Sequence, residues 1–380
     1  MHVGLNLIYL VPGETGGMET YGRELITALA RQPDLRLTAF INKEAAADDG
    51  PWSDLVASVV VPVAARNRRE WVRGEQQLLP RLARRAGVDL VHSLASTAPA
   101  WGRFRRVVTI HDLIYRHHPE THFGLLSRGM RVLVPLAARR SDRVIAVSTA
   151  TRDDVVRMLG VPASKVDVVP NGVGLEREAS PLDEREIRSR FALGARPVVL
   201  SVSAKRPHKN LARLLEALSL IAPERRPVLV LPGYTTPHEV ELRRVASELG
   251  VADDVRFLDW IPAAALEGLY AVAGAFVFPS LYEGFGLPVL EAMARGVPVA
   301  CSAAPSLAEA AGDAALLFDP RDVRAMAAAI ERLLTDPDEA ERLRRAGQAH
   351  AARFTWERTA RETAASYARA LGRDAGKATT

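Results

Sequence analysis

Apolar positions in this chain repeat on two periods. Short β-branched runs, among them VGLNLIYL, RLTAFI, VDLVHS, RVVTIHD, RVIAVS and VDVVPNG, have the length of strands. Between several of them lie longer segments with apolar residues three and four apart, such as METYGRELITALAR from Met18 to Arg31. Strands alternating with helices predict right-handed βαβ units and a parallel sheet. The pattern breaks at the charged stretch GLEREASPLDEREIRSRFALGARP, Gly174 to Pro197, and resumes in PVVLSVS, PVLVLPG, VRFLDW, AFVFPS, VPVACS and AALLFD. The expected organisation is two doubly wound α/β domains facing across a cleft, at residues 1–175 and 197–355, with a linker at 176–196. The segment FTWERTARETAASYARAL has helical period. Its helix, 356–371, is expected to cross back to the N-terminal domain ahead of a frayed tail at 372–380.

Composition narrows the class. A chain of 380 residues, 48% hydrophobic and 25% charged, is long enough for two cores and has the balance of a soluble globular protein. The single cysteine, Cys301, leaves no internal disulfide framework and fits a reducing compartment. The start, MHVGLNLIYLVPGETGG, lacks a basic region and runs directly into a strand pattern, so a signal peptide is not expected. Uncharged runs such as GLYAVAGAFVFPSLY are too short to span a bilayer and contain proline. A cytoplasmic protein is the expectation.

Charge changes that picture at one place. Residues 66 to 143 hold sixteen arginines against six acids. Such a run is a solvated helical face or a docking surface for an anionic partner, including the inner face of an anionic membrane. Trp71 is nearly its only interleaved aromatic within RNRREWVRGEQQLLPRLARR, which argues against nucleic acid.

Open parallel sheets bind ligands beyond the carboxyl ends of their strands. That rule collects His92, His111, Asp112, Asn171, Lys205, Arg206, Lys209, Gly233 and Glu283, each at the end of a predicted strand. In VPGETGGMETYGREL, Gly13, Gly16 and Gly17 precede a helix, where bare backbone and helix N–H groups favour an anion. SVSAKRPHKNL carries two of the five lysines in the protein, with Arg206 and His208, just before another helix. Cations there oppose the helix macrodipole, and a phosphate-bearing ligand would account for them. His111, His117, His118 and His122 suggest a metal by number alone, but there is no H-E-x-x-H and no cysteine pair. In PSLYEGFGLPVLEAMARGVPV, Pro288 is the expected first residue of a helix and Gly296 its stop, with Glu283 and Glu291 flanking two glycines. Two carboxylates for hydroxyls with bare N–H groups between them for phosphate match the layout of a nucleotide sugar.

The same stretch resembles the E-x7-E signature of the family 4 (group 1) retaining glycosyltransferases, whose fold is GT-B, two Rossmann-like domains. The similarity runs through GGMETYGREL, TIHDL, VVPNGV, HKNL, LPG, the signature and the FTWERTA helix, nearly the whole chain. It implies that Glu283 contacts the donor sugar, Glu291 the ribose hydroxyls, and the backbone of Gly284, Phe285, Gly286 and Leu287 to Pro288 the sugar and phosphates. Lys209 would neutralise the diphosphate and His111 would face the transferred sugar. Gly233, Ser203 and Trp260 fall on the donor side; Gly16, Gly17 and Asn171 on the phosphate and acceptor side. One departure stands out: where many members carry VGR, this chain has Val202-Ser203-Ala204, so Arg206 or Lys205 replaces the arginine.

The resemblance further implies catalysis without a metal or other cofactor. Lys209, Arg206 and the Gly286–Leu287 backbone would stabilise a departing diphosphate whose phosphate takes the acceptor's proton on the same face. HDLIYRHHPE is similar to mannosyl- and related hexosyltransferases, which points to GDP-mannose as donor and to a saccharide, lipid-linked or small-molecule acceptor. The rival readings are a GT-B sugar-nucleotide 2-epimerase, a sugar phosphorylase, and a catalytically idle sugar-nucleotide-binding subunit.

Overall fold

A computed structural model describes residues 1–119, 124–174 and 180–373. His122 and the last seven residues of the expected tail lie outside them. The chain divides into two compact units, Met1–Gly172 with the segment from Phe354, and Val173–Arg353.

The first unit holds a seven-stranded sheet in the order β3-β2-β1-β4-β5-β6-β7. Its strands are β1 His2–Leu7, β2 Arg36–Ile41, β3 Ala57–Val60, β4 Leu90–Ser93, β5 Arg105–Ile110, β6 Arg143–Ala146 and β7 Val166–Val168. Every neighbour pairs in parallel, with Val3 opposite both Leu37 and Leu90. Helices cover both faces, so the strands are buried, β4 through its whole length, and most are written as apolar runs such as Val144-Ile145-Ala146 of β6. β3 is the exception. It lies at the edge and its four residues are mostly exposed, which is why no apolar run announced it.

The second unit repeats the order with six strands, β10-β9-β8-β11-β12-β13. They are β8 Val198–Leu200, β9 Val228–Leu231, β10 Val255–Phe257, β11 Ala275–Phe278, β12 Val299–Ser302 and β13 Ala315–Phe318. Each sheet therefore reverses its order once, between β1 and β4 and between β8 and β11. In doubly wound sheets that reversal opens a crevice at the carboxyl ends of the two strands.

One expectation about the connections needs correcting. The stretch expected as a plain linker, 176–196, contains the helix Glu184–Arg190, capped by Asp183, whose carboxylate accepts from Arg185 N at 2.7 Å. Ile187 on that helix is buried against Gly268, where a Cβ would lie 2.6 Å from it, so the segment belongs to the second core. The C-terminal helix, Trp356–Ala370, packs within the first unit. It is capped by Thr355 and buries Trp356, Thr359, Ala360, Thr363 and Tyr367. Thr359 donates to the Pro170 carbonyl at 2.8 Å and Ser366 to the Asp167 carboxylate at 2.6 Å. Gly172 is obligatory there, since a Cβ would sit 2.4 Å from the Trp356 nitrogen.

Candidate active site

At the β8/β11 reversal two loops converge. The loop after β8 ends in a single tight turn, Pro207–Lys209, and then Asn210 in the left-handed conformation with φ of 59°. The Asn210 amide donates to the carbonyls of Pro279 at 3.0 Å and Pro320 at 2.7 Å, and Leu281 N donates to the His208 carbonyl at 2.8 Å. Lys209 is thereby held beside the exit of β11. Its ammonium lies 2.6 Å from Glu283 Oε1 and 5.2 Å from the centre of the Phe278 ring. Both side chains are largely shielded, at 17% and 15% exposure, so this is a partly desolvated ion pair rather than a surface contact. Glu283 Oε2 has no partner among the described residues, and Ser306 fixes the Glu283 carbonyl by a 2.7 Å hydrogen bond.

Lys205 and Arg206 separate cleanly. Lys205 is buried; its ammonium donates to the carbonyls of Gly233, at 2.5 Å, and Leu258, with Glu239 at 3.7 Å. Burial holds its pKa below the usual lysine value, against the pull of Glu239 and Asp259. Lys205 therefore staples the β8, β9 and β10 loops and is not available to a phosphate. Arg206 is exposed and makes no side-chain bond among the described residues. Of the two candidates for the missing arginine, only Arg206 can move to a ligand.

The signature helix runs Leu287–Ala294, with Pro288 second rather than first, and ends at Gly296 with φ of 71°. Gly286 caps it with φ of 109°; a Cβ there would meet Leu307 at 2.6 Å, so only glycine fits. Gly284 and Phe285 are buried, and Leu287 is partly exposed at the helix start. Gly233, at φ of 140°, lies so close under Ser203 that a Cβ would sit 2.2 Å from the Ser203 carbonyl oxygen. The Ser203 hydroxyl is buried without a partner among the described residues. Trp260 is 66% exposed and stacks on Tyr234 with ring centres 4.8 Å apart, a platform next to the Gly233 turn.

Glu291 stands one turn into the signature helix, beside Tyr270, Arg295 and Glu267. Burial raises its pKa, Glu267 adds to that, and Arg295 and Tyr270 oppose it. Arg295 is itself gripped by both oxygens of Glu267 and donates to the Glu291 carbonyl at 3.1 Å. Its guanidinium lies 4.8 Å over the Tyr270 ring. Nothing in the sequence pattern marked Glu267 or Arg295, because the helix that carries Glu267 is 28 residues away from Arg295 in the chain.

The first unit places a different chemistry at its strand ends. His111 follows β5, and its Nε2 donates to the Leu94 carbonyl at 2.7 Å. A carbonyl only accepts, so Nε2 carries the proton and Nδ1 is left as an acceptor. Burial lowers its pKa and keeps the ring neutral. The Tyr21 ring meets His111 edge-on at 4.7 Å. Tyr21 OH pairs with Thr109 at 3.0 Å, Thr109 with His92 Nε2 at 2.8 Å, and His92 Nδ1 with Tyr367 OH at 2.7 Å. This chain links the glycine-loop helix, β5, β4 and the C-terminal helix. His92 is fully buried and its pKa falls to about 3, from burial first and then from His111. Gly16, at φ of 59°, caps the Gly17–Ala30 helix, and Gly17 is exposed with no atom near its missing Cβ. Asn171 is buried and its side-chain oxygen lacks a partner among the described residues. His117 bonds the Asp154 carboxylate at 2.7 Å.

Residues 183–350 match the family described as glycosyl transferases group 1, and residues 15–177 match glycosyltransferase family 4. The chain is 34% identical over 275 residues to an O-antigen chain mannosyltransferase B of Escherichia coli, covering 69% of this chain and 70% of that one. It is 32% identical over 315 residues to a D-inositol 3-phosphate glycosyltransferase of Thermobispora bispora, covering 80% and 70%. In fold it is similar to the sucrose-phosphate synthase of Thermosynechococcus elongatus, with a TM-score of 0.78 at 24% identity over 98% of this chain and 99% of the other. Sequence and fold agree: this chain belongs to the group 1, family 4 glycosyltransferases, with the two Rossmann-like domains of the GT-B fold.

Proposed function

We propose that this glycosyltransferase moves a mannosyl group, with retention, from GDP-mannose to a hydroxyl of a saccharide or lipid-linked acceptor. The observation that carries the reading is the Lys209–Glu283 pair at the β8/β11 reversal, with Glu283 Oε2 unclaimed. An ammonium and a carboxylate at one crevice suit a ligand with a diphosphate beside a hydroxyl-rich ring. In this reading Lys209, Arg206 and the backbone at Gly286–Leu287 take up the charge of the departing diphosphate. Glu283 Oε2 accepts from a hydroxyl of the donor sugar and Glu291 from the ribose. The Tyr234–Trp260 platform offers a face for a base. The mannosyl assignment draws on the first relative above. A leaving phosphate oxygen receives the acceptor's proton as the new glycosidic bond forms, so neither a metal nor a protein nucleophile enters a step.

A lipid-linked acceptor would bring the first unit to a membrane surface. Around a cavity of about 310 Å³, Arg81, Arg84 and Arg103 surround the half-exposed Trp101, with no carboxylate lining it. Such a surface fits an anionic headgroup.

The donor is tested by thermal shift with GDP-mannose, UDP-glucose and UDP-N-acetylglucosamine. GDP-mannose is expected to give the largest rise; a larger rise with either UDP sugar overturns the donor assignment. Anomeric couplings of the product, read by NMR, decide retention, and incubation of the donor alone separates transfer from epimerisation. Turnover is expected to persist in EDTA; loss restored by Mg²⁺ or Mn²⁺ would overturn the metal-free step.

A further inference from the structure

One buried carboxylate in the first unit has no part in the reading above. Glu75 is 2% exposed and sits in a single π-helical turn, Gly74–Leu78, between the helices Arg68–Arg73 and Leu79–Ala86. Such turns are rare and concentrate at functional sites. The carboxylate has no cationic partner among the described residues. Its partners are neutral donors: Asn6 Nδ2 at 3.0 Å and Thr97 Oγ1 at 2.9 Å on Oε1, and Gln76 Nε2 at 3.1 Å on Oε2. Burying a carboxylate against neutral groups is costly, and burial raises its pKa to about 7. A fold that needed only to fill this space would use an apolar residue.

What Glu75 holds is specific. Asn6 lies near the end of β1 and Thr97 in the loop after β4. Asn6 Nδ2 also donates to Ser93 Oγ at 3.1 Å, so one carboxylate grips both sides of the short segment Ser93–Thr97. That segment is strained: Ser96 has φ of 58°, and its N–H is spent on the Thr109 carbonyl at 2.8 Å. Within it lies Leu94, whose carbonyl accepts the Nε2 proton of His111.

We propose that Glu75 is a positioning residue for His111. By clamping Ser93 through Asn6, and Thr97 directly, it fixes where the Leu94 carbonyl points. That carbonyl then sets the His111 ring in the tautomer with its proton on Nε2 and leaves Nδ1 as the free acceptor. The kinetic consequence rests on the reading of His111 as the residue facing the transferred sugar; the geometric one does not.

The test uses the whole protein labelled with ¹⁵N-histidine, with His111→Gln identifying the His111 ring signals. Wild type is expected to show one neutral tautomer protonated at Nε2. Glu75→Leu, which removes the clamp, should give mixed tautomers at His111, with kcat for GDP-mannose down tenfold or more and donor KM within threefold. Glu75→Gln keeps an acceptor for Asn6 and Thr97, and should retain the wild-type tautomer and at least a third of kcat. Thr97→Val removes one grip without burying a new charge, and tests the same link should Glu75→Leu fail to fold. It should lower kcat threefold or more and shift the His111 ring signals. Wild-type His111 signals in folded Glu75→Leu or in Thr97→Val would overturn the proposal. Altered signals with unchanged kcat would confine Glu75 to placing the ring and overturn the kinetic consequence. If wild type turns over none of the three nucleotide sugars, the donor reading fails and the ring signals still decide the positioning.

Discussion

The two sheets share one strand order, yet their reversal points are furnished in opposite ways. At β8/β11 the groups at hand are ionic: Lys209 on Glu283 at 2.6 Å, with Arg206 uncommitted nearby. At β1/β4 they are neutral: Asn6, Ser93 and Thr97 around Glu75, with His92 beyond them on Thr109 and Tyr367. Charge placed near solvent can be traded for the charge of an incoming ligand. A buried network of neutral donors holds geometry. On the proposed roles, the same topology serves a diphosphate at one reversal point and aims a ring at the other. Fold alone assigns neither role.

The contrast can be broken most forcefully at Lys209. Lys209→Ala removes the one lysine at the ionic reversal point that can face a ligand, and kcat should fall roughly 10²- to 10³-fold, about 3–4 kcal/mol of barrier. Melting should fall modestly, because Glu283, only 15% exposed, loses the cation that offsets its desolvation. Full activity in Lys209→Ala would remove the distinction between the two reversal points.

The neutral network answers to pH instead. His92 is held uncharged in the fold, with a pKa of about 3 against 6.5 in the unfolded chain. Between those values the unfolded chain takes up the proton and the fold does not, so stability is lost as pH falls from 6.5. The loss is roughly 1.4 kcal/mol per unit, or about 3 kcal/mol by pH 4. Glu75 acts with the opposite sign: its pKa is raised to about 7, so its contribution is present in acid and lost as pH rises from 4.5 through 7. Between pH 4.5 and 6.5 the two slopes oppose and cancel, so chemical denaturation across pH 4–8 should find a plateau there, with stability falling below 4.5 and from 6.5 to 7. His92→Gln should flatten the acid limb and Glu75→Gln the neutral one.

A smaller effect separates Lys205 from Lys209. Lys205→Met leaves two buried carbonyls, on Gly233 and Leu258, without their donor and should cost about 2 kcal/mol of stability by urea titration. Nucleoside diphosphate affinity should change only as far as the loop loosens. Smallest is the surface term. Arg81→Ala with Arg84→Ala should weaken binding to vesicles containing anionic lipid by about 1 kcal/mol per arginine, and added salt should weaken wild type likewise. Equal binding to neutral vesicles would leave the arginines as a solvated face.

Much of this architecture was legible in the residues because buried parallel strands are written as apolar runs. Twelve of the strands fall on such runs. β3 does not, because an exposed edge strand lacks one. The helix Glu184–Arg190 was hidden by its own polarity, with Ile187 as its only buried residue. At the site, Glu283 and Glu291 could be singled out because one signature holds them eight residues apart, and Lys209, 74 residues from Glu283, because HKNL carries a resemblance of its own. Glu75 and Asn6 could not, since 69 residues separate them; Asn6 looks like a stray polar group in an apolar strand and Glu75 like one more polar residue in a charged stretch. The difference between Lys205 and Arg206 was equally out of reach, for it depends on which of two adjacent side chains turns inward.

The ionic reversal point is tested most directly by isothermal calorimetry with GDP, paired with initial rates on GDP-mannose, for Glu283→Gln and Glu291→Gln. Ribose is common to GDP and the donor, so Glu291→Gln should weaken both, by about 10- to 100-fold for a hydrogen bond to a charged group. On the proposed roles Glu283 meets only the transferred sugar, so Glu283→Gln should leave GDP affinity within about threefold while kcat falls. Both variants should melt within a few degrees of wild type. Identical defects in the two variants, or a collapse of stability in either, would contradict the assignment of ribose to Glu291 and sugar to Glu283.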